Sequence, residues 1–289
     1  WYESNDVIAT ISKVTSDIVK EVSPNVEEIY IPHAVPPHFE PKTSPEEMHI
    51  ISEMRKNNLK GNNKTLFFWN NRNARRKQSG TLLFWFKEFL DRVGHDSASL
   101  LMHTDVNDPN GQPLEFLSQH LGLTEGQVLF SKNKLSSTQM ALMYNMADCT
   151  INISDAEGFG LATLESLSCG TPIVVSMTGG LQEQVTNGKD WFGIGIEPSS
   201  KSVIGSAQVP YIYEDRINKE EFIQALISMH EMSPDDRKAL GQKGRQHVIE
   251  NYNFETFEKQ WVDLMDKVWE EKGSWENRKN YNRWECKEI

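Results

Sequence analysis

Apolar residues in the middle of the chain form short uninterrupted runs, and longer stretches of mixed polarity separate them. The runs predict strands at residues 65–69, 99–102, 128–130, 149–153 and 172–175. The stretches between them predict helices at residues 79–93, 113–121, 136–147, 160–168 and 180–185. Strands that are apolar throughout and alternate with helices are typical of a parallel sheet covered on both faces. The pattern therefore predicts an α/β domain with a doubly wound parallel sheet.

The amino-terminal part of the chain ends in a proline-rich linker. Before the linker, two strands and a helix are predicted at residues 6–11, 25–31 and 14–22. Ser12 is the expected cap of that helix. The linker carries prolines at positions 36, 37, 41 and 45, which neither a helix interior nor a central strand accommodates. A further helix is predicted from Pro45 to Asn58.

The carboxy-terminal part is predicted to be helical after a long insertion. Residues 187–217 contain glycines and serines and are interpreted as irregular, with a strand-like end at 209–213. Helices are predicted at residues 219–230, 235–252 and 254–271. In the last of them Trp261 and Trp269 are eight positions apart and fall near one face. The chain divides accordingly into residues 1–40, 41–253 and 254–289.

Charge and cysteine usage exclude several classes of protein. The chain has 30 lysines and arginines against 41 acidic residues, a net charge of −11, whereas a general binder of duplex nucleic acid carries a basic face. No apolar run approaches the roughly 18 residues of a membrane helix. Cys149, Cys169 and Cys286 are far apart and odd in number, which argues against a disulfide framework and favours a reducing, cytoplasmic compartment. The first residue is Trp1 rather than methionine, so we expect a fragment or a processed product.

A basic loop directly follows the first central strand. Residues 69–77 contain four cations in six positions, Arg72, Arg75, Arg76 and Lys77. Ligands bind to open parallel sheets where strands end and helices begin, and guanidinium and ammonium groups there suit a diphosphate. A solvated basic turn is the alternative, and spacing alone leaves both interpretations open.

A second loop, at residues 154–165, carries two carboxylates and two glycines. Gly158 and Gly160 would let the backbone approach a ligand closely. Glu157 and Glu165 are eight positions apart, or about 12 Å if the segment is helical, which is the span from a sugar to a ribose across a diphosphate. Spacing alone favours the plainer interpretation, in which one is an exposed helix carboxylate and the other a charge at a helix start.

A third strand–glycine–helix arrangement occurs at residues 178–183. Gly179 and Gly180 before a helix suggest another anion or sugar contact, and a plain tight turn is the alternative. Motifs for other chemistry are absent, including a Walker A loop, H-E-x-x-H and Asp-x-Asp. We therefore expect neither a metal nor another cofactor.

Three segments in this order and spacing, 157–165, 169–175 and 179–183, resemble the signature of retaining family 4 glycosyltransferases of the B-fold. The resemblance extends from Asp6 to about Trp269 and implies that the central domain is Rossmann-like and binds the donor. Residues 1–40 then resemble a remnant of an amino-terminal acceptor domain and its linker, and the rest of that domain, about 150 residues, would precede Trp1. Residues 254–289, with Trp275, resemble the segment that crosses back onto it.

The resemblance also implies roles for single residues. Arg72 and Lys77 resemble the basic pair that holds the donor diphosphate. Glu157 resembles the glutamate that contacts the donor sugar, and Glu165 the one that binds the ribose diol. The backbone N–H groups beside Glu157 belong to Gly158, Phe159, Gly160 and Leu161, and residues 131–134 resemble the loop beside the nucleobase. The family usually has glycine before the arginine and after the lysine, where this chain has Asn71 and Gln78.

The resemblance implies an enzyme that transfers a sugar from a nucleoside-diphosphate sugar to a glycan, lipid or small-molecule acceptor, with retention. This chain would be mainly its donor-binding half, inactive without the acceptor domain. Two alternatives stay open. One is a same-fold epimerase or phosphorylase, although no lysine is assignable to the pyridoxal group that a phosphorylase needs. The other is a non-catalytic module that binds nucleotide sugars. Nucleic acid is not an expected partner.

Overall fold

A computed structural model describes residues 2–59 and 64–273 of the chain. The strands in chain order are β1 Val7–Thr10, β2 Glu27–Tyr30, β3 Thr65–Asn70, β4 Ala98–His103, β5 Val128–Ser131, β6 Cys149–Asn152, β7 Ile173–Ser176, β8 Gly193–Ile196, β9 Pro198–Ile204 and β10 Ile212–Ile217. The helices are α1 Lys13–Val22, α2 Pro45–Asn58, α3 Ser79–Val93, α4 Leu114–His120, α5 Ser137–Met146, α6 Leu161–Ser168, α7 Leu181–Val185, α8 Lys219–Glu231, α9 Pro234–Asn251 and α10 Phe254–Lys272. The helices and central strands predicted from the apolar pattern are confirmed to within a few residues.

A parallel sheet of six strands forms the centre of the fold, in the order β5-β4-β3-β6-β7-β8. Alternate residues of β3 point to opposite faces. Phe67 and Trp69 pack into an apolar cluster with α3 and α8, whereas Leu66 and Phe68 pack into a second cluster with α5 and α6. Both faces are therefore covered, which confirms the predicted doubly wound arrangement. The strand order reverses between β3 and β6, and this is the point at which such sheets bind ligands.

The helix α3 shows how sequence determines the cover of the sheet. Leucines and phenylalanines at spacings of three and four form one stripe, which is fully buried: Leu82, Leu83, Phe86, Phe89 and Leu90. Gly94 ends the helix with a φ of 102°, a left-handed conformation that glycine adopts without a steric penalty. Amphipathicity thus decides which face meets the sheet, and the glycine decides where the chain turns away.

The prediction that residues 187–217 are irregular is wrong, although the strand-like end predicted at 209–213 overlaps β10 at residues 212 and 213. Residues 193–196 form β8, which pairs parallel to β7, and β9 and β10 form an antiparallel hairpin. A side chain on Gly193 would place its Cβ 2.1 Å from the Ile173 carbonyl oxygen, so glycine permits the close pairing. Glycines in β8 and serines in β9 lower the apolar content by which strands are recognised from sequence.

The amino-terminal strands form a small parallel pair, β1–β2, beside α1, and Ser12 caps that helix as predicted. The Glu183 carboxylate of α7 joins this unit to the main domain, because it accepts hydrogen bonds from the Lys13 N–H and the Tyr30 hydroxyl, both at 2.8 Å. The division into 1–40, 41–253 and 254–289 stays a prediction.

In α10, Trp261 is partly buried against Phe257, with ring centroids 6.4 Å apart, whereas Trp269 is 74% exposed. The two tryptophans therefore do not share a buried face. Trp275 and Cys286 lie outside the described residues. In the part of the chain that the structure describes, no helix has both the length and the apolar character needed to cross a membrane.

Candidate active site

Two of the three loops singled out in the sequence leave the sheet at its switch point. The basic loop follows β3 and the two-carboxylate loop follows β6, and these strands are neighbours. Lys77 ends a 3₁₀ turn over Arg75–Lys77 and is 7% exposed. Its ammonium group is in direct contact with the Glu157 carboxylate, eighty positions further along the chain. The fold thus joins two predicted site residues into one buried ion pair.

Burial is the main influence on the pKa of Lys77. It lowers the pKa of Lys77, and the charge of Glu157 opposes that shift by favouring the ammonium form. Arg76 adds a second cation, with its guanidinium 3.7 Å from the Glu157 carboxylate and donating to the Ala156 carbonyl oxygen at 2.7 Å. The site therefore presents two cations and one carboxylate at the ends of two buried strands.

The turn that carries Lys77 ends in an unusual backbone conformation. Gln78 has a φ of 56° and a ψ of 32°, which is left-handed and costs about 1–2 kcal/mol for a residue with a side chain. Its amide nitrogen donates to Asp155 at 2.5 Å, and its amide oxygen accepts from the Thr81 hydroxyl at 2.5 Å. Gln78 therefore adopts a conformation that glycine would take freely.

Arg72 has a different neighbourhood from the one expected. Its guanidinium donates to both carboxylate oxygens of Asp108, at 2.6 and 3.3 Å, and 64% of its side chain is exposed. This pairing lowers the pKa of Asp108 to about 2. Among the described residues it is Arg76, rather than Arg72, whose ion pair joins Lys77 at Glu157. The pairing with Lys77 expected from the family pattern stays a prediction.

The glycine loops after β6 and β7 pack directly on each other. A Cβ on Gly179 would lie 1.6 Å from the Glu157 carbonyl oxygen, and one on Gly180 would lie 2.7 Å from the Phe159 Cα. Gly160 is left-handed, with a φ of 94°. The interpretation of Gly179 and Gly180 as a plain turn is therefore incomplete, because they allow two backbones to approach at the site.

Side chains in the 157–161 loop differ in what they offer a ligand. Phe159 is buried against His33 and Tyr252, with ring centroids 5.2 and 5.8 Å away, so its contribution to a ligand would come from its backbone. A Cβ on Gly158 would meet only the Ile11 side chain, at an ordinary contact distance of 3.7 Å, and Leu161 is 47% exposed. Because α6 begins at Leu161, the segment from Glu157 is not continuously helical, and the 12 Å estimate that assumed a helix does not apply.

Glu165 is not an exposed helix carboxylate. It lies at a cleft of about 520 Å³ between α5, α6 and the linker, together with Asn70 and Leu161. The Asn70 amide donates to the Tyr144 hydroxyl at 2.8 Å, and that hydroxyl donates to Glu165 at 2.7 Å. Burial raises the pKa of Glu165, although the Tyr144 hydrogen bond opposes the shift. An oriented carboxylate with free acceptor capacity in a cleft suits the hydroxyls of a ligand.

Comparison with known proteins assigns this chain to a family. Residues 50–247, more than half of the chain, match the model of the family described as glycosyl transferases group 1. The chain belongs to that family. The match contains the loops after β3, β6 and β7 described above.

Individual glycosyltransferases show only modest sequence identity to this chain. The MMP alpha-(1->4)-mannosyltransferase of Mycolicibacterium hassiacum is 26% identical over 181 residues, which cover 60% of this chain and 38% of that protein. A D-inositol 3-phosphate glycosyltransferase of Corynebacterium urealyticum is 30% identical over 151 residues, which cover 52% of this chain and 30% of that protein. The matches thus span well under half the length of these relatives.

Solved structures confirm the predicted B-fold for this group 1 glycosyltransferase chain. Sucrose-phosphate synthase from Thermosynechococcus elongatus matches with a TM-score of 0.73 at 20% identity, covering 93% of this chain and 60% of that one. Anabaena HepE, solved in complex with UDP-glucose, matches with a TM-score of 0.70 at 15% identity, covering 91% and 64%. At these identities the likeness shows the fold.

Several residues of the site were missed by sequence reasoning. Asp108 and Tyr144 lie outside the three motifs, in the loop after β4 and in α5, and nothing in their local sequence marks them. Asp155 lies within the second motif but was not singled out, although a carboxylate at the end of an apolar strand was a signal. Metal-ligand clusters of three or more His, Cys, Asp or Glu are absent among residues 2–59 and 64–273.

Proposed function

We propose that this chain is the donor-binding part of a glycosyltransferase that transfers a sugar from a nucleoside-diphosphate sugar to an acceptor, with retention. The observation that carries the proposal is the Lys77–Glu157 ion pair at the switch point. Family membership supports the reaction class. The share of the relatives that this chain covers supports a second, acceptor-binding region in the whole protein, with a glycan, lipid or small molecule as the acceptor.

In this proposal the ion pair is a resting arrangement that the donor replaces. A diphosphate oxygen takes the place of Glu157 at the Lys77 ammonium group, and the released carboxylate accepts hydrogen bonds from sugar hydroxyls. Negative charge builds on the diphosphate as the bond to the sugar breaks, and Lys77 and Arg76 stabilise it from fixed positions. Contacts of this kind contribute about 10²–10³ in rate each. Arg72 and the N–H groups of residues 158–161 would bind the same phosphates.

The cleft at Glu165 would hold the nucleoside. Its carboxylate lies eight positions from Glu157, and Tyr144 orients it, so a ribose diol can donate to it. The loop at 131–134 continues from β5, so it lies at the carboxyl edge of the sheet, as the other loops of the site do. The HepE structure contains UDP-glucose, which makes a uridine nucleotide the first to test. The charge of the diphosphate would be balanced by side chains without a metal.

A thermal-shift panel of UDP, GDP and ADP, each with and without EDTA, tests donor binding directly. A nucleotide at 100 times its Kd should add about 2.7 kcal/mol of stability. We expect one nucleotide to give a clear shift that EDTA does not change. Arg72→Ala should weaken that nucleotide's binding about tenfold, through loss of a charge-assisted hydrogen bond.

Arg92→Ala is the matched control, because Arg92 also donates two hydrogen bonds to one carboxylate, that of Glu220, but lies at the end of α3. It should leave nucleotide binding unchanged. Absence of a shift with all three nucleotides would refute the donor site. Binding without sugar transfer, in a protein that also has the acceptor region, would favour a non-catalytic module, and interconversion of the donor sugar would favour an epimerase.

Glu165→Gln is expected to stabilise the free protein at neutral pH while weakening nucleotide binding about 10- to 100-fold, since hydrogen bonds to a charged acceptor contribute about 1.5–3 kcal/mol. Burial raises the pKa of Glu165 above its ordinary 4.5, so its contribution to stability is present at low pH and lost as the pH rises through the folded-state pKa. Glutamine removes that loss. Unfolding by denaturant at pH 7 and pH 4, with nucleotide titrations, checks both expectations. A variant less stable than wild type at pH 7 would contradict the first.

A further inference from the structure

A left-handed glutamine and the base of the inserted hairpin meet at one buried carboxylate. Asp155 follows β6 closely and is 4% exposed. It accepts a hydrogen bond from the Gln78 amide at 2.5 Å and forms an ion pair with Arg216 of β10 at 3.1 Å. Its backbone is tied in the same way, since its N–H donates to the Arg76 carbonyl oxygen at 2.8 Å and its carbonyl oxygen accepts from the Asp215 N–H at 2.9 Å.

The hairpin base makes further contacts with the donor loops. Glu214 is 4% exposed, and its carboxylate accepts hydrogen bonds from both terminal nitrogens of Arg75, at 2.9 and 2.7 Å. It also accepts one from Arg216 at 3.1 Å. On the neighbouring residue, the Asp215 carboxylate accepts from the Thr178 hydroxyl at 2.6 Å, directly before Gly179. The base of the hairpin thus contacts all three loops of the site, whereas its tip is exposed at Tyr211 and Tyr213.

We propose that Arg216 and Asp155 are positioning residues of the donor site, and that through Gln78 they set how tightly it binds a diphosphate. The inference rests on the proposed function for its ligand. Lys77 directly precedes Gln78, so the left-handed conformation of Gln78 directs the chain from the basic turn into α3. Burial raises the pKa of Asp155, and the Arg216 guanidinium, 3.1 Å away, opposes that shift by favouring the carboxylate form, which accepts the hydrogen bond from the Gln78 amide. The hairpin therefore acts on phosphate binding without touching the phosphate.

Replacing Arg216 is the direct test. Arg216→Ala should raise the Kd for UDP about tenfold, equivalent to 1.4 kcal/mol. Lys201→Ala is the control, because it removes one positive charge from the same hairpin at a side chain that is 68% exposed and 4.0 Å from Asp215. It should change the Kd less than about twofold, within the scatter of independent surface sites.

A glycine at position 78 distinguishes an effect on the backbone conformation of this residue from a general loss of stability. Glycine takes the left-handed conformation without help, so Gln78→Gly should bind UDP nearly as well as wild type. Adding Arg216→Ala to Gln78→Gly should then have little further effect. An equal loss of affinity in both backgrounds, or no loss from Arg216→Ala alone, would overturn the proposal. Asp155→Asn, which keeps a hydrogen-bond acceptor and loses the charge, repeats the test should Arg216→Ala fail to fold.

Hydrogen exchange distinguishes failure of this inference from failure of the proposed function. The backbone N–H groups of Lys77 and Gln78 donate hydrogen bonds within the basic turn, to the carbonyl oxygens of Ala74 at 2.8 Å and Arg75 at 3.2 Å. In the protein without nucleotide, Arg216→Ala should speed their exchange about tenfold, whereas Lys201→Ala should not. If UDP, GDP and ADP all fail to bind the wild type, the donor site is refuted while this measurement still decides the coupling. Unchanged exchange in Arg216→Ala would refute the coupling.

Discussion

Lys77→Ala is expected to weaken binding of the diphosphate nucleotide at least a hundredfold, the largest effect of a single substitution in the site. Lys77 is 7% exposed and its ammonium group is in direct contact with Glu157, so this group meets a bound phosphate with little water between them. Its loss also leaves a carboxylate buried without that partner, and removal of one member of a buried pair costs about 3–5 kcal/mol. We expect the lower end, because Arg76 lies 3.7 Å from the same carboxylate.

Isothermal titration with UDP and unfolding by denaturant measure the two effects separately. Lys87→Ala is the control, since Lys87 pairs with Asp91 on the surface of α3 and such exposed pairs contribute little. In the double variant Lys77→Ala/Glu157→Gln, stability should recover because the unpaired charge is gone, whereas binding should stay lost. Affinity within threefold of wild type in Lys77→Ala would exclude this ammonium group as a phosphate ligand.

Gly179→Ala is expected to destabilise the protein by about 2–4 kcal/mol, from overpacking together with a left-handed alanine. The added Cβ would lie 1.6 Å from the Glu157 carbonyl oxygen, and the φ of Gly179 is +50°. Because the atom it meets is backbone, the 157–160 loop has to move, and Glu157 moves with it. We therefore expect nucleotide binding to fall together with stability, as measured by denaturant unfolding and UDP titration.

Gly188→Ala separates the clash from the backbone penalty. Gly188 also has a positive φ, +87°, but a Cβ there would meet nothing within 4 Å. It should cost only the left-handed penalty of about 1 kcal/mol and leave binding unchanged. Equal stability of the two variants would show that the loops after β6 and β7 are free to separate, contrary to the packing described.

The elements were predictable where burial and periodicity agree. The helix α3 was predicted at its observed bounds because a continuous apolar stripe and a following glycine mark both its face and its end. β8 and β9 were missed, and the strand-like end predicted at 209–213 overlaps β10 by only two residues, because these strands contain glycines and polar residues, whose strand preference is low. These segments are stabilised by hydrogen bonds and packing with neighbouring strands, and the local sequence of a segment does not reveal those interactions.

The types of residue in the site, and their order, could be predicted from the sequence. The glycines, cations and carboxylates follow directly after strands that the local apolar pattern identifies. Which of them meet was decided by tertiary structure. Lys77 contacts Glu157, Arg72 is turned to Asp108, and Asp155 joins Gln78 to Arg216. These contacts join residues 36 to 80 positions apart. Such distant side chains come within reach of one another only through tertiary packing: β3 beside β6 for Lys77 and Gln78, β3 beside β4 for Arg72, and the hairpin against the loop after β6 for Arg216.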